Sequence, residues 1–110
     1  MSDRYQSFAE FWPYYLSEHA DPTNRRLHYV GSTLALMNVT AAIVLLNPFF
    51  ILGALVSGYF FAWIGHFKVE HNRPATFKYP FWSLAADFRM YFLALSGRLQ
   101  PHLERAGVAA

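Results

Sequence analysis

Three histidines and a glutamate are the residues of this chain whose types and spacing could bind a metal ion. His19 and His28 precede a long apolar stretch, whereas His66 and Glu70 end it. Neutral imidazoles and a carboxylate are ligands that Fe(II), Zn(II) and Mn(II) accept, and three protein ligands would leave positions open on an iron for substrate and oxygen. Because the chain has no cysteine, thiolate zinc sites, iron–sulfur clusters, disulfides and cysteine nucleophiles are excluded.

The stretch between these residues has the length and composition of two membrane spans. Residues 29–67 contain no Asp, Glu, Lys or Arg, whereas one span needs only about 20 residues. Asn47-Pro48 is the break within it, because proline lacks an N–H and is accepted in the first turn of a helix. The pattern predicts a transmembrane helical hairpin over about residues 22–71. The alternative is a hairpin buried in a soluble bundle, but 110 residues offer little protein to surround two helices that are apolar all round.

The predicted hairpin brings distant histidines together. Residues that face each other across the turn have numbers that sum to about 95, so His28 and His66 are expected at the same height. Asn24 precedes His28 by four residues and Glu70 follows His66 by four, so each shares a helix face with its histidine. We therefore expect a metal site or an acid–base site at the open end of the hairpin.

His19 and His71 complete the predicted site. His19 lies just before Asp21-Pro22, an N-cap and proline that predict the start of the first hairpin helix, so the chain can fold His19 back over the open end. His71 follows His66 by five residues and therefore lies on a different face of the helix from His66, unless the helix ends before it. The predicted metal ligands are His19, His28, His66 and Glu70, with His71 as a further candidate ligand and Asn24 as a residue that supports the ligands.

Amphipathic segments flank the hairpin. The segment SFAEFWPYYLSEH predicts a short interfacial helix over about residues 5–18, in which Pro13 marks a kink or the true start. The segment FWSLAADFRMYFLALSG predicts another over about residues 81–96, and the polar residues after it predict a frayed tail. Residues 1–110 are thus expected to form one all-α domain, a transmembrane helical hairpin with flanking interfacial amphipathic helices.

The distribution of charge predicts the orientation in a membrane. Lys and Arg residues flank the open end of the hairpin and none lies at its tip, so the positive-inside rule places both termini in the cytoplasm. In a bacterium the membrane would be the inner, or plasma, membrane. The net charge of +2 is too small to indicate a nucleic-acid partner. Gly31 and Ala35, like Gly53 and Ser57, are spaced four apart, which fits close packing within the hairpin or in a homodimer.

Two motifs resemble those of a known family. HADPTNRRLH carries H-x4-N-x3-H, and GHFKVEHNRPA carries G-H-x3-E-x3-P-A. Over roughly residues 5–100 the chain resembles the small membrane-protein family of the fungal 2-hydroxy fatty acid dioxygenase, and PFWSLAADFRMY matches its bacterial branch. The resemblance implies an Fe(II)-dependent oxidoreductase that uses O2 to shorten 2-hydroxy fatty acids by one carbon, an α-oxidation step of lipid metabolism. It assigns the family's histidines and glutamate to His19, His28, His66 and Glu70, and leaves His71 at a free position.

The same resemblance suggests how a fatty-acid substrate would bind. Guanidinium groups match carboxylates in geometry, although basic residues at the open end also follow from topology alone. The expected carboxylate-binding residues are Arg25, Arg26 and Arg73. The acyl chain is expected where the open end meets the lipid, against Tyr29, Phe60, Trp63 and Phe67. The fungal sequences differ after the P-A pair, where TFKYPFWSL could also line the acyl site.

Three other functions fit the same residues. A zinc-dependent enzyme acting on lipids would use the same imidazole and carboxylate ligands. A non-enzymatic membrane assembly factor or scaffold would use the histidines for contacts with partners and would hold no metal tightly. A haem protein would use His28 and His66 as its two axial ligands.

Overall fold

The computed structural model describes residues 5–74 and 78–108, and every regular element in these two ranges is a helix. The all-α prediction is therefore confirmed. Residues 75–77 belong to the predicted loop before the last interfacial helix and lie outside the described residues, as do 1–4 and 109–110. The elements in chain order are α1 (Phe8–Ser17), α2 (Pro22–Val44), α3 (Phe49–Ile64), a π-helical continuation of α3 (Gly65–Glu70), α4 (Pro80–Leu95) and α5 (Leu99–Arg105).

The hairpin consists of α2 and α3, and both are long and apolar enough to cross a membrane when α3 is taken with its π-helical continuation. Large apolar side chains stay exposed along it, most of all near the turn, where Leu46 is 88% exposed and Phe49 is 71% exposed. Soluble monomers rarely expose a continuous apolar surface, whereas lipid tails solvate one well. The outer surface of the hairpin is thus suited to hydrocarbon.

Side-chain hydrogen bonds lie where the two hairpin helices begin. Asp21 accepts a hydrogen bond from the Thr23 N–H at the start of α2, and Asn47 Oδ1 accepts one from the Phe49 N–H at the start of α3. Between the helices Leu46 adopts a left-handed conformation with φ 52°. These contacts place the reversal at the break that the sequence indicates, and so decide which residues of α2 and α3 face each other.

Small residues let α2 and α3 approach closely. A Cβ added to Gly31 would lie 3.2 Å from the carbonyl oxygens of Ser57 and Gly58. A Cβ added to Gly53 would lie 2.4 Å from Asn38 Oδ1. Both glycines therefore serve contacts inside the hairpin, where close packing rather than the hydrophobic effect holds helices together in lipid.

A second packing layer lies across the open end of the hairpin, formed by α1, α4 and α5. Its buried core residues are Phe11, Trp12, Tyr15, Leu16, Tyr79, Ala86, Met90, Leu99, Leu103 and Val108. Ser7 caps α1 by accepting from the Glu10 N–H, and Pro13 lies within this helix rather than at its start. Because α4 also contacts α2, the layer is joined to the hairpin at the end where the histidines lie.

The prediction of a frayed tail is wrong, because part of that segment is α5. Leu99 and Leu103 are buried in the core of the second layer, and the Trp12 indole N–H donates to His102 Nδ1 over 3.1 Å. Gly97, with φ 72°, follows the end of α4 and lets the chain turn back towards α1. The spacing of four between the two leucines is a helical signal that the polar composition of the segment obscured.

Adding a methyl group should affect stability differently at Gly31 and at Gly58. Alanine is favoured over glycine within a helix by about 1 kcal/mol. At Gly58 the new Cβ would meet only Ala35 Cβ at 4.0 Å, whereas at Gly31 it would press on backbone carbonyls at 3.2 Å. Since overpacking costs about 1–3 kcal/mol, we expect Gly31→Ala to have the lower free energy of unfolding by about that amount in detergent-solubilised protein. Equal free energies of unfolding for the two variants would contradict the close approach.

Candidate metal centre

Three histidines meet at the open end of the hairpin. His19 lies in the linker between α1 and α2, His28 lies in α2, and His66 lies in the π-helical continuation of α3. The Nε2 atom of His19 lies 3.1 Å from Nε2 of His28 and 3.0 Å from Nε2 of His66. All three side chains are buried, and each offers one ligand atom within 4.8 Å of the other two. The hairpin thus brings two histidines together across its axis, and the linker folds the third over them.

Main-chain oxygens determine the tautomers of His19 and His28. His19 Nδ1 lies 2.6 Å from the carbonyl oxygen of Tyr15, and His28 Nδ1 lies 3.0 Å from the carbonyl oxygen of Asn24. A carbonyl oxygen only accepts hydrogen bonds, so each Nδ1 must carry the proton. Each Nε2 then presents a lone pair to the centre of the cluster, as it does in histidines that bind metals.

The side chain of Asn72 determines the tautomer of His66. His66 Nδ1 lies 2.7 Å from Asn72 Oδ1, and the Asn72 amide nitrogen donates to the carbonyl oxygen of Glu18 over 3.1 Å. The second bond assigns the nitrogen of the carboxamide to the Glu18 side, so its oxygen faces the imidazole. Sequence reasoning missed Asn72, because no regular helical spacing relates it to His66.

Three lone pairs that face one another repel unless a cation lies between them, so the cluster is one that could hold a metal ion. With every proton on Nδ1, no hydrogen bond can form between the Nε2 atoms, and separations near 3 Å leave no room for a bridging water. A metal ion with bonds of about 2.1 Å at right angles to one another sets neighbouring ligand nitrogens about 3 Å apart. The distances from His19 Nε2 to the other two Nε2 atoms therefore match those between neighbouring ligands of one metal ion, and imidazole donors suit Fe(II) and Zn(II).

A π-helical turn and a left-handed residue place His66 in the cluster. A Cβ added to Gly65 would lie 1.8 Å from Asn24 Oδ1, so glycine lets the two hairpin helices meet at this point. The π-helical segment ends at His71, which has φ 59° and ψ 41°, a conformation in which histidine is several-fold enriched. After this reversal the chain returns Asn72 to the His66 ring. Single π-helical turns occur frequently at functional sites.

Two residues predicted as ligands, Glu70 and His71, are not brought into the histidine cluster. Glu70 Oε1 accepts from the Asp21 N–H over 2.5 Å and from the Asn24 amide over 3.4 Å, so the carboxylate joins the π-helical segment to the start of α2. His71 is exposed. The spacing argument for Glu70 assumed an α-helix, whereas a π-helical turn changes the angle between residues four apart.

The predicted carboxylate-binding arginines lie in two different environments. Arg25 is buried, and its Nη1 donates to the carbonyl oxygens of His19 over 2.8 Å and Ala20 over 2.9 Å. It thereby holds the linker that carries His19. Arg26 and Arg73 are exposed at the open end of the hairpin.

The residues predicted to line the acyl chain lie away from the cavity beside the histidines. Phe60, Trp63 and Phe67 are between 41% and 57% exposed, and Tyr29 is half-buried with its ring 6.3 Å from that of Tyr91. A cavity of about 220 Å³ lies between α2, α3 and α4, and none of the four predicted residues is among those that line it. His28 and Asp87 do line it, and sequence reasoning did not select Asp87.

Burial shifts the pKa of His19 in the cluster and of Asp87 beside it. Burial, with His28 and His66 alongside, lowers the pKa of His19 well below its ordinary value, so this imidazole is neutral at pH 7. The Tyr15 ring stacks on that of His19 with 4.0 Å between centroids, and the Tyr15 hydroxyl donates to Asp87. Burial raises the pKa of Asp87 to about 7, although the hydrogen bond from Tyr15 acts in the opposite direction. Asp87 therefore carries only part of a negative charge at neutral pH.

One comparison with known proteins gives a match. A family model described as 2-hydroxy-palmitic acid dioxygenase Mpo1-like matches residues 5–99, which is most of the chain. The matched range includes the three clustered histidines and the residues that accept hydrogen bonds from their Nδ1 atoms. No curated protein and no solved structure matches the chain.

Replacing Asn72 by leucine should weaken metal binding although no ligand is removed. The variant leaves His66 Nδ1 without its acceptor, and loss of such support typically lowers metal affinity about 10–100-fold. His71→Asn is the matched control, because this histidine is adjacent in sequence, exposed and outside the cluster, and asparagine also accepts its left-handed conformation. Affinity is measured by titrating metal-free protein with Co(II) and following its visible absorption. Equal affinities for wild type and Asn72→Leu, or equal losses in both variants, would refute the supporting role of Asn72.

Metal affinity should stay nearly constant as the pH falls from about 8 to about 6.5, the pKa of an ordinary histidine. Only the neutral imidazole binds a metal, and protons compete for it below its pKa. Since the pKa of His19 is lowered in the folded protein, this competition begins at a more acidic pH than for free imidazole. Competition titrations with Zn(II) at a series of pH values measure the effect. A steep loss of affinity centred near pH 6.5 would show that His19 titrates as an ordinary histidine.

Proposed function

The chain belongs to the Mpo1-like family of 2-hydroxy-palmitic acid dioxygenases, and from this membership and its histidine cluster we propose that it is a membrane dioxygenase that shortens 2-hydroxy fatty acids by one carbon. The observation that carries the proposal is the cluster of three buried histidines, in which Nε2 of His19 lies 3.1 Å and 3.0 Å from Nε2 of His28 and His66 and the lone pairs face one another. Such a set binds a metal through one face and leaves the other face for reactants.

Iron is the metal that we propose for this site. His19, His28 and His66 would hold it, and imidazole nitrogen is a ligand that suits Fe(II). When bound, Fe(II) would supply the redox chemistry that cleavage of the C1–C2 bond by O2 requires. The overall reaction balances without a further reductant, because a 2-hydroxy acid and O2 give the acid one carbon shorter, CO2 and water.

The chain's own groups would prepare the ligands and attract the substrate. The acceptors at Tyr15, Asn24 and Asn72 keep the protons on Nδ1, so that the Nε2 atoms are free for the metal. Burial keeps bulk water away from the cluster. The exposed guanidinium groups of Arg26 and Arg73 are proposed to draw the carboxylate of the substrate towards the open end of the hairpin.

The membrane is part of the proposed function. The two hairpin helices are long and apolar enough to span it, and the histidines lie at the end of the hairpin that is flanked by Lys and Arg. We propose that this end faces the cytoplasm, in accordance with the positive-inside rule. A fatty acid in the bilayer would then reach the histidines sideways, with its carboxylate in the head-group region.

A zinc enzyme acting on lipids is the second candidate, because three histidines and an open position also hold catalytic zinc. The other two alternatives agree less well with the site. A haem has no room, since the ring centroids of His28 and His66 are 5.0 Å apart and His19 lies 4.4 Å and 4.5 Å from them. A scaffold that used the histidines for contacts with partners would need them on the surface, whereas all three are buried.

Purified protein loaded with Fe(II) under anaerobic conditions should convert 2-hydroxypalmitate to pentadecanoate when air is admitted, as measured by mass spectrometry. Oxygen from labelled O2 should appear in the new carboxyl group. Palmitate should stay unchanged because it lacks the 2-hydroxyl group, and His66→Ala should lose both bound iron and product. Chemistry on lipids that proceeds with Zn(II) and without O2 would favour the second candidate. Absence of a shortened acid across several chain lengths would rule out the dioxygenase.

A further inference from the structure

The cavity beside His28 is elongated along the hairpin. On α2 its wall is formed by His28, Ser32, Ala35 and Val39, which recur every three or four residues and therefore lie on one face. At the rise of an α-helix, the distance from His28 to Val39 is about 16 Å. On α3 the wall runs in the opposite direction, from Ala62 beside the histidines to Ile51 near the turn. We name this cavity the hairpin groove.

The two ends of the hairpin groove differ in polarity. At the histidine end its polar residues are His28, Ser32 and Asp87, and Asp87 is placed there because the Tyr15 hydroxyl donates to it while the Tyr15 ring stacks on His19. Towards the turn the walls are apolar, formed by residues such as Val39 and Ile51. A molecule with a polar head and an apolar tail would match this gradient only with its head at the histidines.

Small side chains provide the space within the hairpin groove. Ala35, Ala54 and Gly58 line its middle, where larger residues would bring the walls together. A Cβ added to Gly58 would meet only Ala35 Cβ, at 4.0 Å, so the space in front of this glycine is open. On the side between α3 and α4 the lining residues Leu55 and Leu84 are 53% and 49% exposed, so the groove is accessible from the surrounding hydrocarbon.

We propose that the hairpin groove is the acyl-chain site, occupied by a single unbranched chain, and that its apolar end at Val39 and Ile51 limits the chain length that the protein accepts. The inference rests on the proposed function, which brings the carboxylate end of a fatty acid to the histidines. An acyl chain in the hairpin groove would lie between α2, α3 and α4. A tail against Phe60, Trp63 and Phe67 would lie instead on the outer surface of the hairpin, where those side chains are exposed.

Photolabelling tests the location without any substitution. Metal-free protein in lipid nanodiscs is incubated with a 2-hydroxypalmitate analogue that carries a diazirine near the end of its tail, and the labelled residues are mapped by mass spectrometry. We expect labels on Val39 and Ile51, and competition by unlabelled 2-hydroxypalmitate. Labels confined to Phe60, Trp63 and Phe67 would overturn the proposal. So would labels in the groove that 2-hydroxypalmitate does not displace, since these would indicate nonspecific contact with bilayer lipid.

Filling the middle of the groove tests the limit on chain length. In Gly58→Leu the new side chain would occupy the open space, so affinity for 2-hydroxypalmitate should fall about tenfold or more, in line with the effect of steric misfit in an apolar pocket. Affinity for 2-hydroxyoctanoate should be unchanged. Val56→Leu is the matched control, because this residue is on the same helix, 60% exposed and not among the lining residues, and it should bind both acids as wild type does. Equilibrium dialysis with radiolabelled acids measures the affinities in metal-free protein.

Measurements of fatty-acid binding and of product formation distinguish failure of the groove proposal from failure of the dioxygenase proposal. Groove labelling and the length-selective loss in Gly58→Leu, in a protein that yields no shortened acid, would uphold the groove as a fatty-acid site and reject the reaction. Conversely, formation of pentadecanoate together with equal affinities of wild type and Gly58→Leu for both acids would uphold the reaction and reject the groove.

Discussion

The hydrogen bond at each histidine Nδ1 is the interaction on which the rest of the site depends. If a ring lost its acceptor, its proton could move to Nε2, and the three buried imidazoles would bond to one another instead of to a metal. Two of the acceptors are main-chain carbonyls four residues before the histidine: that of Asn24 lies with His28 inside α2, and that of Tyr15 lies at the end of α1, just before the linker that carries His19. His66 takes its acceptor from the Asn72 side chain, which reaches it because a π-helical turn and a left-handed residue reverse the chain there.

Charged residues near the cluster stabilise the chain segments that carry the histidines. The buried guanidinium of Arg25 donates to the carbonyl oxygens of His19 and Ala20 in the linker, and without it the buried His19 carbonyl would lose this partner. The carboxylate of Glu70 accepts a hydrogen bond from the N–H of Asp21, the residue immediately before α2. The first interaction joins the linker to α2, and the second joins the π-helical segment to the start of α2, 49 residues earlier in the chain. The three histidines are thus held by a shell of hydrogen bonds that satisfies backbone groups at the same time, which is why the cluster can be fully buried.

The hairpin serves the membrane and the site with the same residues. Its outer surface is apolar enough to lie in hydrocarbon, and its two helices touch through glycines at one face while small residues leave the hairpin groove open at another. The layer formed by α1, α4 and α5 closes the histidine end, and α4 completes the wall of the groove. A buried histidine cluster that could hold a metal ion and the apolar hairpin groove therefore adjoin each other at His28. This arrangement agrees with the proposed oxidation of a fatty acid at its carboxyl end.

The sequence by itself determined the helical class, the hairpin and the facing of His28 and His66, because a long uncharged stretch, a single Asn-Pro break and a constant helical rise leave little freedom in the register. Its two motifs also indicated the family that the family model then matched. Only the tertiary structure decided the role of Asn72, the place of Glu70 outside the cluster, the helix in the supposed tail and the position of the groove. The first two of these features depend on a π-helical turn at Gly65 and a left-handed backbone at His71. Local spacing assumes a regular α-helix, so it cannot reveal a contact that exists because the helix becomes irregular.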